Sequence, residues 1–368
     1  MRDPSADAPD VVWVYRRSRR QWLDEWRRGE RSGEFFYSLP TLSRQHRVGF
    51  VEDESRRPFF RAWWPVEWLL AQRFGMGFAL DVALRNLSVL KRARVVISTV
   101  DSCGLPLALL KRLGLLRGRL IYISQGLSDR VAAYGAGRWL SRSYRGLLLG
   151  VDELVVLSAG AREGLAAWLR VPAERICVLP FGTDCEFWRN TAPAGERGKV
   201  VSVGSDSGRD YPTLLAAAAG RLPLHIITRQ PLASAGHSNL VHSTDHSPLE
   251  LRDIYSSAAF VVIPLLDRSQ PSGQSATLQA MACAKSVIIT RTRGWWGEPF
   301  LRDGEACALV PPGDVSALRD TMRRFWSEPE LCRRMGQTAR ETVVAHFSEN
   351  QMAAALDRLI VGGAPLSC

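Results

Sequence analysis

Short apolar runs recur along this chain with room for one helix between each pair, and that rhythm limits the folds open to it. Val11–Tyr15, Ala93–Thr99, Leu120–Ser124, Leu154–Ser158 and Ile176–Leu179 are brief and rich in β-branched, leucine or aromatic side chains, the make-up of buried strands. Between them Pro106–Leu113, Trp139–Leu149 and Ala161–Leu169 have the reach of helices. Runs that are apolar throughout belong to strands covered on both faces, as in a parallel sheet with helices on each side. Arg189–Gly198, rich in Pro, Gly and polar residues, breaks the rhythm as a linker. A second series follows, with strands at Lys199–Val203, Leu224–Thr228, Phe260–Pro264, Val287–Thr290 and Ala308–Val310. Its helices are expected at Thr213–Arg221, Leu249–Ser256, Ser275–Cys283 and Val315–Ser327, with terminal helices at Pro329–His346 and Glu349–Val361. Phe35–Leu39 and Arg47–Val51 read as further short strands, and Phe59–Leu90 as mostly helical with a break near Pro65. The expected fold class is α/β, with Rossmann-like domains over 1–190 and 199–345 and a last helical segment over 346–368.

A chain of 368 residues, 46% apolar and 23% charged, has the length for two cores and the composition of a globular protein. Its runs fall short of the roughly 18 apolar residues of a membrane span. The opening Met1–Asp10 lacks the basic-then-apolar order of a signal peptide, so a cytoplasmic location is expected. Seven scattered cysteines, none in a Cys-x-x-Cys pair, and six histidines show no metal-ligand spacing; buried reduced thiols are the expectation, and no metal or cofactor. Ten of the eleven net positive charges lie in residues 1–195, which hold 30 Lys and Arg against 20 Asp and Glu. That bias suits an anionic partner, such as lipid head groups or a phosphorylated acceptor, or else reflects a generally Arg-rich composition. Nucleic acid is the weaker partner, since no binding motif accompanies the charge. Arg57–Leu70 interleaves arginines with Trp63, Trp64 and Trp68. It reads either as a surface that touches a membrane peripherally or as a helix packing its aromatics inward.

Three segments of the second half carry chemistry. In the first, Val203–Leu215, a strand runs through Gly204, Ser205 and Arg209 into a helix; a glycine lets backbone approach a diphosphate, and an arginine grips two of its oxygens. In the second, Pro271–Ala282, a loop with Ser272 and Gly273 opens a helix at Gln274 and Ser275, whose backbone N–H groups suit a phosphate. In the third, Thr290–Pro299, Trp295 and Trp296 stand between glycines, able to stack on a sugar or base or to plug a domain interface.

This order of elements resembles the C-terminal domain of retaining glycosyltransferases of the GT-B fold, above all glycosyltransferase family 4. The resemblance covers most of 93–361 and is specific only in the second half. It implies two Rossmann-like domains facing a central cleft, with the last helix crossing back to the first domain. It further implies a nucleotide-sugar donor, a hydroxyl acceptor on a glycan, lipid-linked or natural-product molecule, and metal-independent transfer with retention. Donor-binding residues implied are Gly204, Ser205, Arg209, Ser272, Gly273, Gln274, Ser275 and Gln279. The family's usual pair of glutamates eight positions apart falls on Pro271 and Gln279, and the first of its two phosphate cations falls on Ser205. Gln279 keeps hydrogen-bonding capacity for a ribose diol without charge. In the first domain the usual Gly-rich loop is replaced by Arg16–Arg20, so Arg16, Arg17 and Arg19 are expected on the acceptor side. A family histidine aligns with Gln125, which hydrogen-bonds but transfers no proton. Asp101 is either a carboxylate facing the cleft or a helix cap, and Asp184 reads as a turn cap. The catalytic candidates are thus Gln125, Asp101 and Arg209. In the front-side mechanism that the resemblance brings, the leaving diphosphate takes the acceptor proton, and protein cations neutralise its charge. Two rival readings are a non-catalytic partner subunit of the same fold and a sugar-nucleotide epimerase.

Overall fold

The computed structural model describes residues 9–53, 65, 67–69, 77–127, 130, 139–192, 198–218, 221–233 and 237–362. The chain divides into two compact units, each assembled from separated segments. One runs to Asp24, resumes over Phe36–Pro180 and takes up the chain again from Met352. The other consists of Glu25–Phe35 and Phe181–Gln351. Residues 25–35, which the sequence reading leaves in the first domain, therefore pack with the second unit, and the final helix packs with the first.

The first unit holds six parallel strands: β1 (Val11–Tyr15), β2 (Val48–Glu52), β3 (Val95–Ser98), β4 (Arg119–Ser124), β5 (Glu153–Val156) and β6 (Ile176–Val178), in the order β2-β1-β3-β4-β5-β6. Val11 pairs with Val48 on one side and Val95 on the other, and Ile97 pairs with Ile121. All five residues of β1 are buried, as its unbroken apolar run requires. Val12, Val14, Val96 and Leu120 pack against Cys103, Leu107 and Leu110 of the Asp101–Arg112 helix. The Glu349–Val361 helix buries Met352, Leu356, Leu359 and Ile360. Its Asp357 meets His46 at 2.5 Å, and Arg119 donates to the carbonyls of Leu359 and Ile360 at 3.0 and 3.2 Å, satisfying the helix end.

The second unit holds β7 (Val200–Val203), β8 (Leu224–Ile227), β9 (Leu240–Ser243), β10 (Phe260–Ile263), β11 (Val287–Thr290) and β12 (Ala308–Val310), all parallel, in the order β12-β11-β10-β7-β8-β9. The core beneath it joins Leu214 and Leu215 to Val262, Ile288, Leu318 and Phe325. Strand order reverses between β7 and β10, the place where open parallel sheets leave a crevice at their carboxyl ends.

One expectation needs correction, and two elements went unforeseen. Phe35–Leu39 is no strand: Glu34–Phe36 is a 3-10 turn, Tyr37 and Ser38 take φ of 50° and 63°, and Pro40 sits in the first turn of a short helix, Leu39–Leu42. An apolar pair followed by a helix-starting proline mimics a strand in sequence. Strand β9 went unseen because all four of its residues are partly exposed or exposed and it carries His242 on an edge. The Arg20–Arg27 helix also went unseen: Trp22, Leu23 and Trp26 form its apolar face, but none of its residues is fully buried. The Arg57–Leu70 reading falls largely outside the described residues; within it Trp68 and Leu69 are exposed.

Candidate functional site

The site lies in the second unit at the switch between β7 and β10. Strand β7 ends into Gly204, whose φ of 150° only glycine holds without cost. The loop then folds back on the strand beside it: Asp210 donates its N–H to Pro264 and Leu266 donates to Gly208, at 3.0 and 2.8 Å. Those two bonds carry Arg209 directly over the end of β10. Its side chain is only 3% exposed. A Cβ on Gly204 would strike the guanidinium, and one on Gly273 would stand 3.3 Å from Nη1 and 2.7 Å from Ile263. Gly204 is therefore required by the room that Arg209 occupies, and Gly273 by Ile263 and its own φ, with Arg209 close by.

Arg209 donates from Nε to Asp206 Oδ2 at 2.8 Å, while its Nη1 is buried without a hydrogen-bond partner. An unpartnered guanidinium N–H in a buried position is costly unless a ligand completes it. Asp206 Oδ1 accepts from Ser272 Oγ at 2.7 Å and from the Gly208 N–H at 3.0 Å. Burial pulls the Asp206 carboxyl up, but Arg209, Ser272 and the Gly208 N–H together hold it below the usual carboxylate range. Gly273, at φ 74°, starts the Gln274–Ala282 helix, and no side chain caps that start. Trp296 donates to the Ser272 carbonyl at 3.2 Å, fixing the loop from behind.

Of the sequence candidates, Gly204, Arg209, Ser272 and Gly273 converge here. Gln274 is buried at the helix start and Ser275 is half-buried beside it. Ser205 lies on the exposed rim, its Oγ accepting from the Arg229 N–H at 2.9 Å. Gln279 faces protein: its amide donates to Glu34 Oε1 at 2.9 Å, and that oxygen also accepts from Ser32 and Trp188, at 2.8 and 3.0 Å. Burial pushes the Glu34 carboxyl up, against the pull of Gln279, Ser32 and Trp188. Trp295 and Trp296 are both buried within this unit, their rings 5.6 Å apart and Trp296 edge-on to Phe347. Asp184 caps as expected, accepting from Glu186 and Phe187, and it also takes the N–H of Gly33 at 3.0 Å.

In the first unit Asp101 is buried and its carboxylate holds a turn in place, accepting from Tyr122 at 2.9 Å and from the N–H groups of Gln125 and Gly126 at 3.2 and 2.8 Å. Gln125 donates to the Thr99 carbonyl at 2.7 Å and to the Tyr37 hydroxyl. Burial pushes the Tyr37 phenol up to about 12. Arg16 is engaged by Asp53 at 2.5 Å and Glu67 at 2.9 Å, Arg17 is exposed, and Arg19 lies over the Trp22 ring at 4.1 Å. Arg16 and Arg19 thus serve packing and ion pairing within the fold. Among the described residues there is no group of three or more His, Cys, Asp or Glu placed to hold a metal.

Sequence reasoning missed Asp206 and Glu34. Asp206 stood inside the Val203–Leu215 segment, three residues before Arg209, a spacing at which an acid and an arginine meet. Glu34 had no signal, because its partners Trp188 and Gln279 are 154 and 245 positions away.

Residues 209–328 match the model of the family Glycosyl transferases group 1. The chain is similar to the MMP α-(1→4)-mannosyltransferase of Mycolicibacterium hassiacum, 27% identical in a 258-position alignment that covers 61% of this chain and 60% of that enzyme. It thus covers less than two thirds of that relative's length. In fold it is similar to Anabaena Alr3699/HepE in complex with UDP-glucose, with a TM-score of 0.71 and 12% identity over 96% of this chain and 99% of that one. It is also similar to sucrose-phosphate synthase from Thermosynechococcus elongatus, with a TM-score of 0.67 and 15% identity over 96% and 98% of the two chains. These likenesses show the fold: two parallel α/β units of the GT-B kind.

Proposed function

We infer that this chain, a glycosyltransferase of GT-B architecture with a group 1 segment over residues 209–328, moves a sugar from a nucleotide-sugar donor to an acceptor hydroxyl. The observation that carries the reading is Arg209, held almost out of solvent at the strand-order switch with Nη1 unpartnered. A buried guanidinium with an open donor, flanked by glycine loops and an uncapped helix start, favours the charge that develops on a departing diphosphate. The same cation and backbone N–H groups supply the positive charge that a metal supplies elsewhere, which supports metal-independent transfer. The basic excess of residues 1–195 supports an anionic or lipid-linked acceptor.

The test is a panel of nucleotide sugars and nucleoside diphosphates against the purified chain, read by thermal shift and by chromatography of the donor. One nucleoside diphosphate is expected to stabilise the fold by about 2.7 kcal/mol at a hundredfold excess over Kd, and its sugar conjugate to be consumed in the presence of acceptor. No shift with any nucleotide and no donor consumption would sink the reading. A non-catalytic partner of the same fold is favoured by one observation, the engagement of Gln279 by Glu34 in place of an open ribose contact. Binding without turnover across the panel would select it.

A further inference from the structure

We propose that Asp206 is a built-in occupant of the anion pocket, a carboxylate that a diphosphate must displace before the donor binds. The proposal rests on the donor reading above and adds a specificity device to it.

Three observations carry it. The donors gathered on Asp206 are a guanidinium, a hydroxyl and a backbone N–H, from Arg209, Ser272 and Gly208. That trio is the set with which proteins hold a phosphate oxygen. The carboxylate meets Arg209 through Nε alone, leaving Nη1 buried and open on the Gly273 side. A single carboxylate on the Nε edge cannot also reach Nη1, which faces the other edge, whereas a ligand with two anionic groups can engage both edges. Finally, Asp206 is free to leave where Arg209 is not. Its side chain is 48% exposed against 3% for Arg209. Its main chain is anchored independently, because its carbonyl accepts from the Arg209 N–H at 3.2 Å and from the Gln230 side chain. Displacement therefore needs a side-chain rotation and no movement of the loop. A Cβ on Gly208 would come within 2.9 Å of both Asp206 Oδ1 and Ser272 Oγ, so the glycine keeps this exchange region clear.

A side chain that fills the pocket lowers apparent affinity by the fraction of time the pocket is open; an open fraction of about one tenth weakens binding about tenfold. The factor is the same for every ligand that needs the pocket open, so one held by a single anionic group, weaker from the outset, falls out of the working range first. The diphosphate brings more oxygens than Asp206 has.

The experiment is titration calorimetry on the full chain with UDP, GDP, ADP and inorganic pyrophosphate. It compares wild type, Asp206→Asn, Asp206→Ala, Arg209→Ala and the Asp206→Asn/Arg209→Ala pair, with circular dichroism and melting to confirm folding. Asp206→Asn and Asp206→Ala are expected to bind the preferred probe about tenfold more tightly. Asp206→Asn is expected to give no gain when Arg209 is already Ala. Unchanged or weaker binding by both folded Asp206 variants, with wild type binding normally, overturns the occupant and makes Asp206 a positioning residue for Arg209. Absence of binding to every probe in wild type and in both Asp206 variants overturns the donor reading itself, and the occupant with it. Binding that appears only in the Asp206 variants supports both.

Discussion

At the scale of single residues, Arg209 and Gly273 constrain each other. Arg209→Ala is expected to weaken the preferred nucleoside diphosphate by about ten- to a hundredfold, the range for a lost charge-assisted hydrogen bond. Arg209→Lys keeps the charge but loses the fork, so calorimetry should place it between wild type and Ala. Equal affinities for all three would remove Arg209 from the pocket. Gly273→Ala meets two penalties, a φ of 74° and a Cβ 2.7 Å from Ile263. We expect it to lower stability by about 1–3 kcal/mol in urea unfolding, with weaker nucleotide binding because the new methyl crowds Nη1. Arg209 and both glycines were legible in sequence, since a strand, a glycine loop, a cation and a helix follow one another locally. Asp206 was visible as a letter but not as a partner, because only the folded loop turns it back onto Arg209 and Ser272.

At the scale of elements, the Glu25–Phe35 segment is tied to the rest of the second unit by the Gly33 N–H on Asp184 and, most deeply buried, by the Glu34 carboxyl. Glu34 is fully buried, with Oε1 taking three hydrogen bonds and Oε2 none. Its pKa is raised, so the folded chain binds this proton more tightly than the unfolded chain. Its contribution is therefore fully present in acid and is lost as pH rises above 4.5 toward the folded value. Glu34→Gln keeps an acceptor oxygen and cannot ionise. Melting temperatures measured across that range should fall with rising pH in wild type relative to the variant; parallel curves would refute the linkage. In the first unit Asp101 does comparable work for the turn at Gln125 and Gly126. Asp101→Ala leaves two N–H groups and the Tyr122 hydroxyl without their acceptor, and should cost about 1–3 kcal/mol in the same unfolding assay. The sequence presented Asp101 as either a cleft acid or a helix cap. The structure shows it binding the next strand's turn, a choice that depends on β3 and β4 being neighbours.

At the scale of the whole molecule, neither unit is one continuous stretch of chain. The first lacks its final helix until Met352 arrives, and the second draws Glu25–Phe35 from the amino-terminal part. Fragments cut at the linker, 1–190 and 199–345, are therefore expected to be protease-sensitive when expressed singly. The former loses the helix whose Met352, Leu356, Leu359 and Ile360 are buried, and the latter loses Glu34 and Trp188 from beside Gln279. Cooperative, native-like melting of either fragment alone would contradict this reading of the units.

Local chemistry, written in consecutive residues, determined the alternation of buried strands and helices and the glycine–arginine and serine–glycine loops at two strand ends. Each of those depends on periodicity, turn residues and charge within a dozen positions, which a linear reading contains. Tertiary structure alone decided that β7 and β10 lie side by side so that Arg209 stands over their switch point. It also decided that Glu34 takes up Gln279 and that Arg16 is spent on Asp53 and Glu67. Those outcomes depend on which distant segments share a sheet edge or a core wall, and no short-range preference of the backbone encodes that choice.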